Sequence, residues 1–385
     1  MTKSPVRAFR GPEGQEDMPY LLTPGPLTTS RNVKLAMLAD WGSWDQELRD
    51  ITADIRARIL RLASADVNYE CVLLQGAGSY GVEAALGAFA PKIDGKTLII
   101  SNGAYGERAV KALRRIGRPF VVFDKGDSAK PSAQEIEEEL DADPLIRAVL
   151  LVHCETTSGI VNPLEDIAML VKSRGLLFML DAMSSFGAIP FSMQGLGIDV
   201  MISSANKCIE GVPGFCYVVA KRDVLQASEG KSHSMALDLY DQWNYMQKTG
   251  QFRYTPPTHT LVAFHTALKE HEAQGGVLAR LKRYNANRNV LIRGMREMGF
   301  ETLLPENELG PIIQTFLTPR DSGFEFQKFY DALKVRGFVI YPGKITQRSS
   351  FRIGTIGGVD EHVMRALLLA IKEALQEMGV KSCKA

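Results

Sequence analysis

Short apolar runs alternate with segments of helical period along the middle of the chain. Residues 71–75, 97–101, 119–124, 148–153, 176–181, 199–203 and 215–220 are mostly continuous apolar blocks, not alternating ones. Continuous blocks predict strands buried on both faces, hence a largely parallel sheet covered by helices. The stretches 79–90, 104–116, 132–140 and 163–174 predict those covering helices. The fold class is therefore α/β.

The texture changes near residue 260. Residues 260–299 predict two successive helices, broken at Gly275-Gly276. A strand over 311–317, a helix over 324–336 and strands over 338–341 and 351–355 follow. Asp360 stands at an N-cap position for a last helix. Val363, Leu367, Ile371, Leu375 and Met378 share one face of it, and Gly379 suits its end. The expected division is an N-terminal arm over 1–19, a large domain over 20–260 and a small α+β domain over 261–385.

Composition mainly excludes. Lys+Arg is 45 against Asp+Glu 44, so the uniform basic surface of a non-specific nucleic-acid binder is not expected. No window approaches the ~20 apolar residues of a membrane span, and residues 1–20 contain no apolar signal core. A cytoplasmic protein with neither nucleic-acid nor membrane partner is expected. The five cysteines show no C-x-x-C pair or zinc spacing, so neither a metal site nor a disulfide framework is expected.

Three features carry chemistry. Gly76, Gly78 and Gly81 form G-x-G-x-x-G between a strand and a helix, the dinucleotide fingerprint in its usual context. The acid that should close the next strand is missing, because that strand runs into Ser101-Asn102-Gly103-Ala104-Tyr105. What remains is a small-residue loop whose amides can approach one phosphate at a helix N-terminus. Asp181 ends the apolar run LLFMLD, where α/β sheets keep their sites, and is costly there without a cationic partner. Lys207 follows the next strand between small residues, where desolvation would make its amine nucleophilic. A phosphorylated aldehyde cofactor, pyridoxal 5'-phosphate, uses all three: a lysine, a partner for its ring nitrogen and a phosphate cradle. Tyr105 is placed to lie on such a ring. Thr156 is placed to bond the ring hydroxyl or Asp181. Taken singly, each has a plainer role as packing residue, turn or cap.

With these residues, YLLTPGPLTTS (20–30), LLQGAGSYGVEA (73–84), SNGAYGER (101–108), HCETTSG (153–159), DAMSSFGAIP (181–190), SSANKCIEGVPGF (203–215), YTPPTHT (254–260), FVIYPGK (338–344) and FRIGTIGG (351–358) complete a pattern. The chain resembles the class-V, fold-type-I aminotransferases over nearly its whole length. The resemblance implies a seven-stranded, mostly parallel sheet between helices, with a small C-terminal domain. It implies Lys207 as the cofactor-bearing lysine and Asp181 as partner of the ring nitrogen. Ala77, Gly78, Ser79 and Asn206 would surround the phosphate. Tyr105 would stack on the ring, Thr156 would bond its hydroxyl side, and Met183 would be a further cofactor-binding residue. Tyr254 and Thr255 would serve the neighbouring subunit's phosphate, which makes the protein a homodimer. Arg352 would hold the acidic end of the substrate, with Arg253 and His233 as further candidates. SSANKCIEGVPGF and FVIYPGK resemble the branch that moves the amino group of 2-aminoethylphosphonate to pyruvate. The alternatives are an alanine– or serine–glyoxylate aminotransferase, a cysteine desulfurase (disfavoured because the only C-terminal cysteine is Cys383), a non-catalytic cofactor-binding or scaffold protein and a nicotinamide dehydrogenase.

Overall fold

The computed structural model describes residues 18–344 and 348–385. The expected arm 1–19 falls almost wholly outside the described residues. Seven strands form the central sheet: β1 (Tyr69–Gln75), β2 (Lys96–Ser101), β3 (Phe120–Asp124), β4 (Ile146–Val152), β5 (Leu177–Asp181), β6 (Val200–Ser204) and β7 (Phe215–Lys221). Their order across the sheet is β1-β7-β6-β5-β4-β2-β3. Strand β7 runs antiparallel to both neighbours and the other pairings are parallel. The apolar blocks are continuous because both faces are covered: Val72, Ile99, Leu150, Met179 and Ile202 enter one core, while Leu73, Leu98, Leu151, Leu180 and Met201 enter the other.

Helix α1 (Gly78–Phe89) lies close to the sheet because its buried positions are small. At Gly81 a Cβ would stand 3.0 Å from Ile202 Cγ2 and 3.1 Å from Cys216 Sγ. Helix α2 (Ala104–Ile116) buries Ala109 and Leu113 and ends on left-handed Gly117. The helix Gln46–Leu62, absent from the sequence expectations, buries Leu48, Thr52, Ile55 and Ile59. Its neighbour α3 (Thr258–Ala273) places Leu261, Phe264 and Leu268 in the same core.

A long helix α4 (Gly276–Glu297) leads into a second core. Strands β8 (Ile313–Leu317), β9 (Tyr341–Pro342) and β10 (Ser350–Gly354) form an antiparallel sheet in the order β8-β10-β9. Helices α5 (Phe326–Val335) and α6 (Glu361–Met378) pack with it. Asp360 caps α6 by accepting from the amides of His362 and Val363. Tyr20–Leu21 pairs with Phe338–Val339, so the start of the described chain is tied to this second core. Among the described residues no helix is long and apolar enough to cross a membrane.

Phe351 is the hub of the second core. Its ring meets those of Phe300, Phe316, Phe324, Phe326 and Phe329 at centroid distances of 5.6–6.2 Å. Phe351→Ala should lower the free energy of unfolding by about 3–5 kcal/mol, read from urea denaturation. A loss below about 1 kcal/mol would mean that the neighbouring rings refill the space.

Candidate active site

Strands β5 and β6 and helix α1 converge on one cavity of about 440 Å³ at the carboxyl edge of the sheet. Its walls include Ala77, Gly78, Ser79, Tyr105, Asp181, Met183, Asn206 and Lys207. The structure thus brings together eight residues singled out in the sequence. Thr156 is not among the residues lining this cavity; it is fully buried and its Oγ1 has no hydrogen-bond partner.

Asp181 follows from the register of the sheet. It is the last residue of β5, paired with Val152 on one side and Ile202 on the other. Its Oδ1 accepts from the Met183 amide at 2.9 Å, and the residue is 5% exposed. Burial pushes its carboxyl up to about 6, against the pull of that amide. Lys207 is half-buried because one side faces the cavity. The surrounding wall still desolvates its ammonium and pushes its pKa down to about 8. Its Nζ donates to the Pro24 carbonyl at 2.5 Å. Only glycine fits beside it: Gly25 has φ +118°, and a Cβ there would meet Lys207 Cδ and Nζ at 2.9 Å.

The lysine loop is locked from behind. The Glu210 amide donates to the Lys207 carbonyl at 2.7 Å, with Glu210 at φ 65°. The Glu210 carboxylate accepts from Tyr284 Oη at 2.6 Å and pairs with Arg280 at 2.9 Å and with Arg283. Arg280 also donates to the Cys208 carbonyl at 2.7 Å. Such a buried network holds an unfavourable backbone conformation that one contact would not.

The glycine loop has other reasons than phosphate clearance alone. Gly76 needs its positive φ, and a Cβ on it would strike the Tyr80 ring. A Cβ on Gly78 would strike Met183 Sδ at 2.3 Å, and Gly81 serves helix–sheet packing. Gly78 and Ser79, which line the cavity, stand at the start of α1, where backbone amides have no intrahelical partner.

Arg352, Tyr254 and Thr255 do not line this cavity. Arg352 is 1% exposed on β10; its Nη1 donates to the Thr156 carbonyl at 2.7 Å and its Nε to the Pro342 carbonyl at 2.9 Å. Tyr254 and Thr255 are exposed, and the Thr255 carbonyl accepts from Gln75 at 2.9 Å. Arg253 pairs with Asp241 at 3.2 Å, and His233 contacts Glu83 at 3.3 Å. Three cavity neighbours were not singled out in the sequence. Arg108 bonds Ser79 Oγ at 2.9 Å, with its guanidinium 4.9 Å from the Tyr105 centroid. Ser204 bonds Asn206 at 3.1 Å. Buried Glu155 accepts from the Tyr105 and Thr157 amides and from Thr157 Oγ1. The SNGAYGER run contains Arg108, but nothing in its helical period separates it from a solvent-facing arginine.

The model of the family "Aminotransferase class-V" matches residues 38–355, and the chain belongs to that family. A 2-aminoethylphosphonate–pyruvate transaminase of Rhizobium meliloti is 52% identical over 94% of each chain. One from Syntrophobacter fumaroxidans is 49% identical over 96% of this chain and all of its own. Ureidoglycine–glyoxylate aminotransferase from Bacillus subtilis shares the fold at TM-score 0.87 and 19% identity, covering 96% of each chain. Pyridoxamine–pyruvate aminotransferase from Mesorhizobium loti does so at 0.85 and 21%, covering 97% of this chain and 95% of its own.

In the cofactor-free protein, a carbonyl reagent should modify Lys207 with a pH–rate inflection near 8, followed by peptide mapping. An inflection near the ordinary lysine value of 10.5 would show that the cavity wall does not desolvate the amine.

Proposed function

We propose that this chain is a pyridoxal 5'-phosphate-dependent aminotransferase that moves the amino group of 2-aminoethylphosphonate to pyruvate, giving phosphonoacetaldehyde and L-alanine. The observation that carries it is one cavity walled by a desolvated lysine, a buried acid and the open start of a helix. The substrate pair follows the names of relatives about half identical over nearly the whole chain. The glyoxylate aminotransferases share the fold at far lower identity, which does not favour the glyoxylate alternative.

The residues present fit the cofactor. The Gly78 and Ser79 amides and Ser79 Oγ suit a phosphate, and the partnerless Thr156 Oγ1 suits a ring oxygen. When bound, the cofactor supplies an aldehyde that takes up amino groups and a ring that accepts the electron pair left on the substrate carbon. Asp181, with Oδ1 held by Met183, keeps a proton on the ring nitrogen. Asp181 would be held as the carboxylate, which burial alone disfavours, by a positively charged ring nitrogen. Lys207 Nζ, its pKa lowered to about 8 so that the free amine is far more accessible than in an ordinary lysine, would take the proton from the amine-bearing carbon and return it on the cofactor. Tyr105 and Met183 confine the ring. Arg352 binds the acidic group of each substrate in turn. Tyr254 and Thr255 serve the site of a second copy in a homodimer, and the protein works in the cytoplasm.

The holoenzyme should show a visible absorption band that is missing in Lys207→Ala. Adding 2-aminoethylphosphonate alone should abolish the band, and pyruvate should restore it. Loss of the band with alanine or serine but not with the aminophosphonate would overturn the substrate assignment. Arg352→Lys keeps the charge but cannot satisfy both the Thr156 and Pro342 carbonyls while presenting a planar fork. It should lower kcat/KM for both substrates at least about tenfold. Unchanged kinetics for both would remove Arg352 from substrate binding.

A further inference from the structure

The acceptor and donor of this reaction differ in charge. Pyruvate brings a carboxylate of charge −1, whereas an ionised phosphonate, like a phosphate group, approaches −2. Arg352 is a single positive charge, and two of its nitrogens already donate to the Thr156 and Pro342 carbonyls. That leaves Nη2 as the nitrogen with no protein acceptor among the described residues. Arg108 is the next cation, but its Nη1 is committed to Ser79 Oγ, at the helix start that suits the cofactor's phosphate.

A third cation stands nearby. Lys344 Nζ is 4.9 Å from the Tyr105 centroid, the same distance as the Arg108 guanidinium carbon. Lys344 follows the β9 strand, in which Tyr341 is the register partner of Arg352 and its ring lies 5.1 Å from the guanidinium carbon. Gly343 is held by its amide donating to the Ser350 carbonyl at 3.0 Å, and a Cβ on it would strike that carbonyl at 2.2 Å. Lys344 thus extends from the same hairpin that holds Arg352. Among the described residues it has neither a carboxylate partner nor a hydrogen-bond acceptor. The nearest acid in the electrostatic sense, Glu155, is committed to Tyr105 and Thr157. Burial and the charges of Arg108 and Arg352 lower the Lys344 pKa, so the three cations repel one another when no anion lies among them.

We propose that Lys344 is the specificity residue that makes the substrate site prefer a dianionic phosphonate to a singly charged carboxylate. The inference rests on the proposed reaction and adds the group that selects its amine donor. Arg352 alone suffices for the pyruvate carboxylate. Lys344 adds the second charge and up to three donors for the third phosphonate oxygen.

The test uses the holoenzyme, with methylphosphonate and acetate as non-reacting probes titrated by calorimetry above the phosphonate's second ionisation. Lys344→Met should raise the Kd of methylphosphonate about tenfold or more while changing that of acetate less than about twofold. Lys344→Arg should keep most of the preference. In turnover, Lys344→Met should raise KM for 2-aminoethylphosphonate with kcat and KM for pyruvate little changed. The side chain is exposed, so the variant should fold, as a circular dichroism melt would verify. Equal weakening of both probes, or of neither, overturns the proposal. A wild-type enzyme that prefers methylphosphonate but keeps its visible band with 2-aminoethylphosphonate would overturn the proposed reaction instead, leaving the role of Lys344 standing.

Discussion

A lysine ammonium held in a desolvating wall without a carboxylate partner is the constraint on which the site depends. A free lysine would turn to water, so its position has to be imposed by the surrounding chain. Three separate segments impose it. Strand β6 delivers Lys207 to the cavity edge, and the Pro24 carbonyl and glycine-only space at Gly25 close over the amine. Glu210, held in the left-handed region by Tyr284, Arg280 and Arg283, fixes the loop from behind. Tyr284 Oη also accepts from the Gly357 amide at 3.4 Å. The loop of the large sheet is therefore braced by helix α4 and by the chain just beyond β10.

Asp181 meets the complementary constraint. Its register partners on the two neighbouring strands, Val152 and Ile202, are apolar, and its Oδ1 contact is a backbone amide. Opposite charges in the same cavity do not pair directly, so each keeps a pKa displaced toward its neutral form. A direct ion pair would restore both charges and remove the free amine. The separation of the two groups, set by the parallel register of β5 and β6, keeps both available.

The sheet was legible because two-sided burial writes itself as unbroken apolar blocks, and the seven strands begin and end within two residues of those blocks. The Asp360 cap and the Gly275-Gly276 break were legible because each has a local chemical cause. Asp181 and Lys207 stood out as charges where the local pattern offered no reason for one. Glu155 and Glu210 did not, since a carboxylate in a polar loop looks solvent-facing until distant amides and arginines are folded onto it. Arg108 was hidden by the opposite effect, an exposed helix position that also faces a cavity. The glycine loop was legible as a feature, but its causes were not. Met183, Tyr80 and the β6–β7 surface claim the missing side-chain space, and all but Tyr80 come from distant parts of the chain.

One substrate site that takes a dianion in one half of a cycle and a monoanion in the other faces a conflict. Charges fixed for the dianion would be left partly uncompensated around the monoanion, at a cost that grows as water is excluded. The hairpin of β9 and β10 divides the task by burial. Arg352 is inside and anchored by carbonyls, so it cannot leave, and its single charge matches the monoanion and half of the dianion. Lys344 is outside on the same hairpin, where a long flexible stem lets its ammonium approach the cavity or return to water at little cost. An arginine buried in that second place would be a permanent charge against the carboxylate half-reaction, whereas an exposed lysine contributes only when the second negative charge arrives.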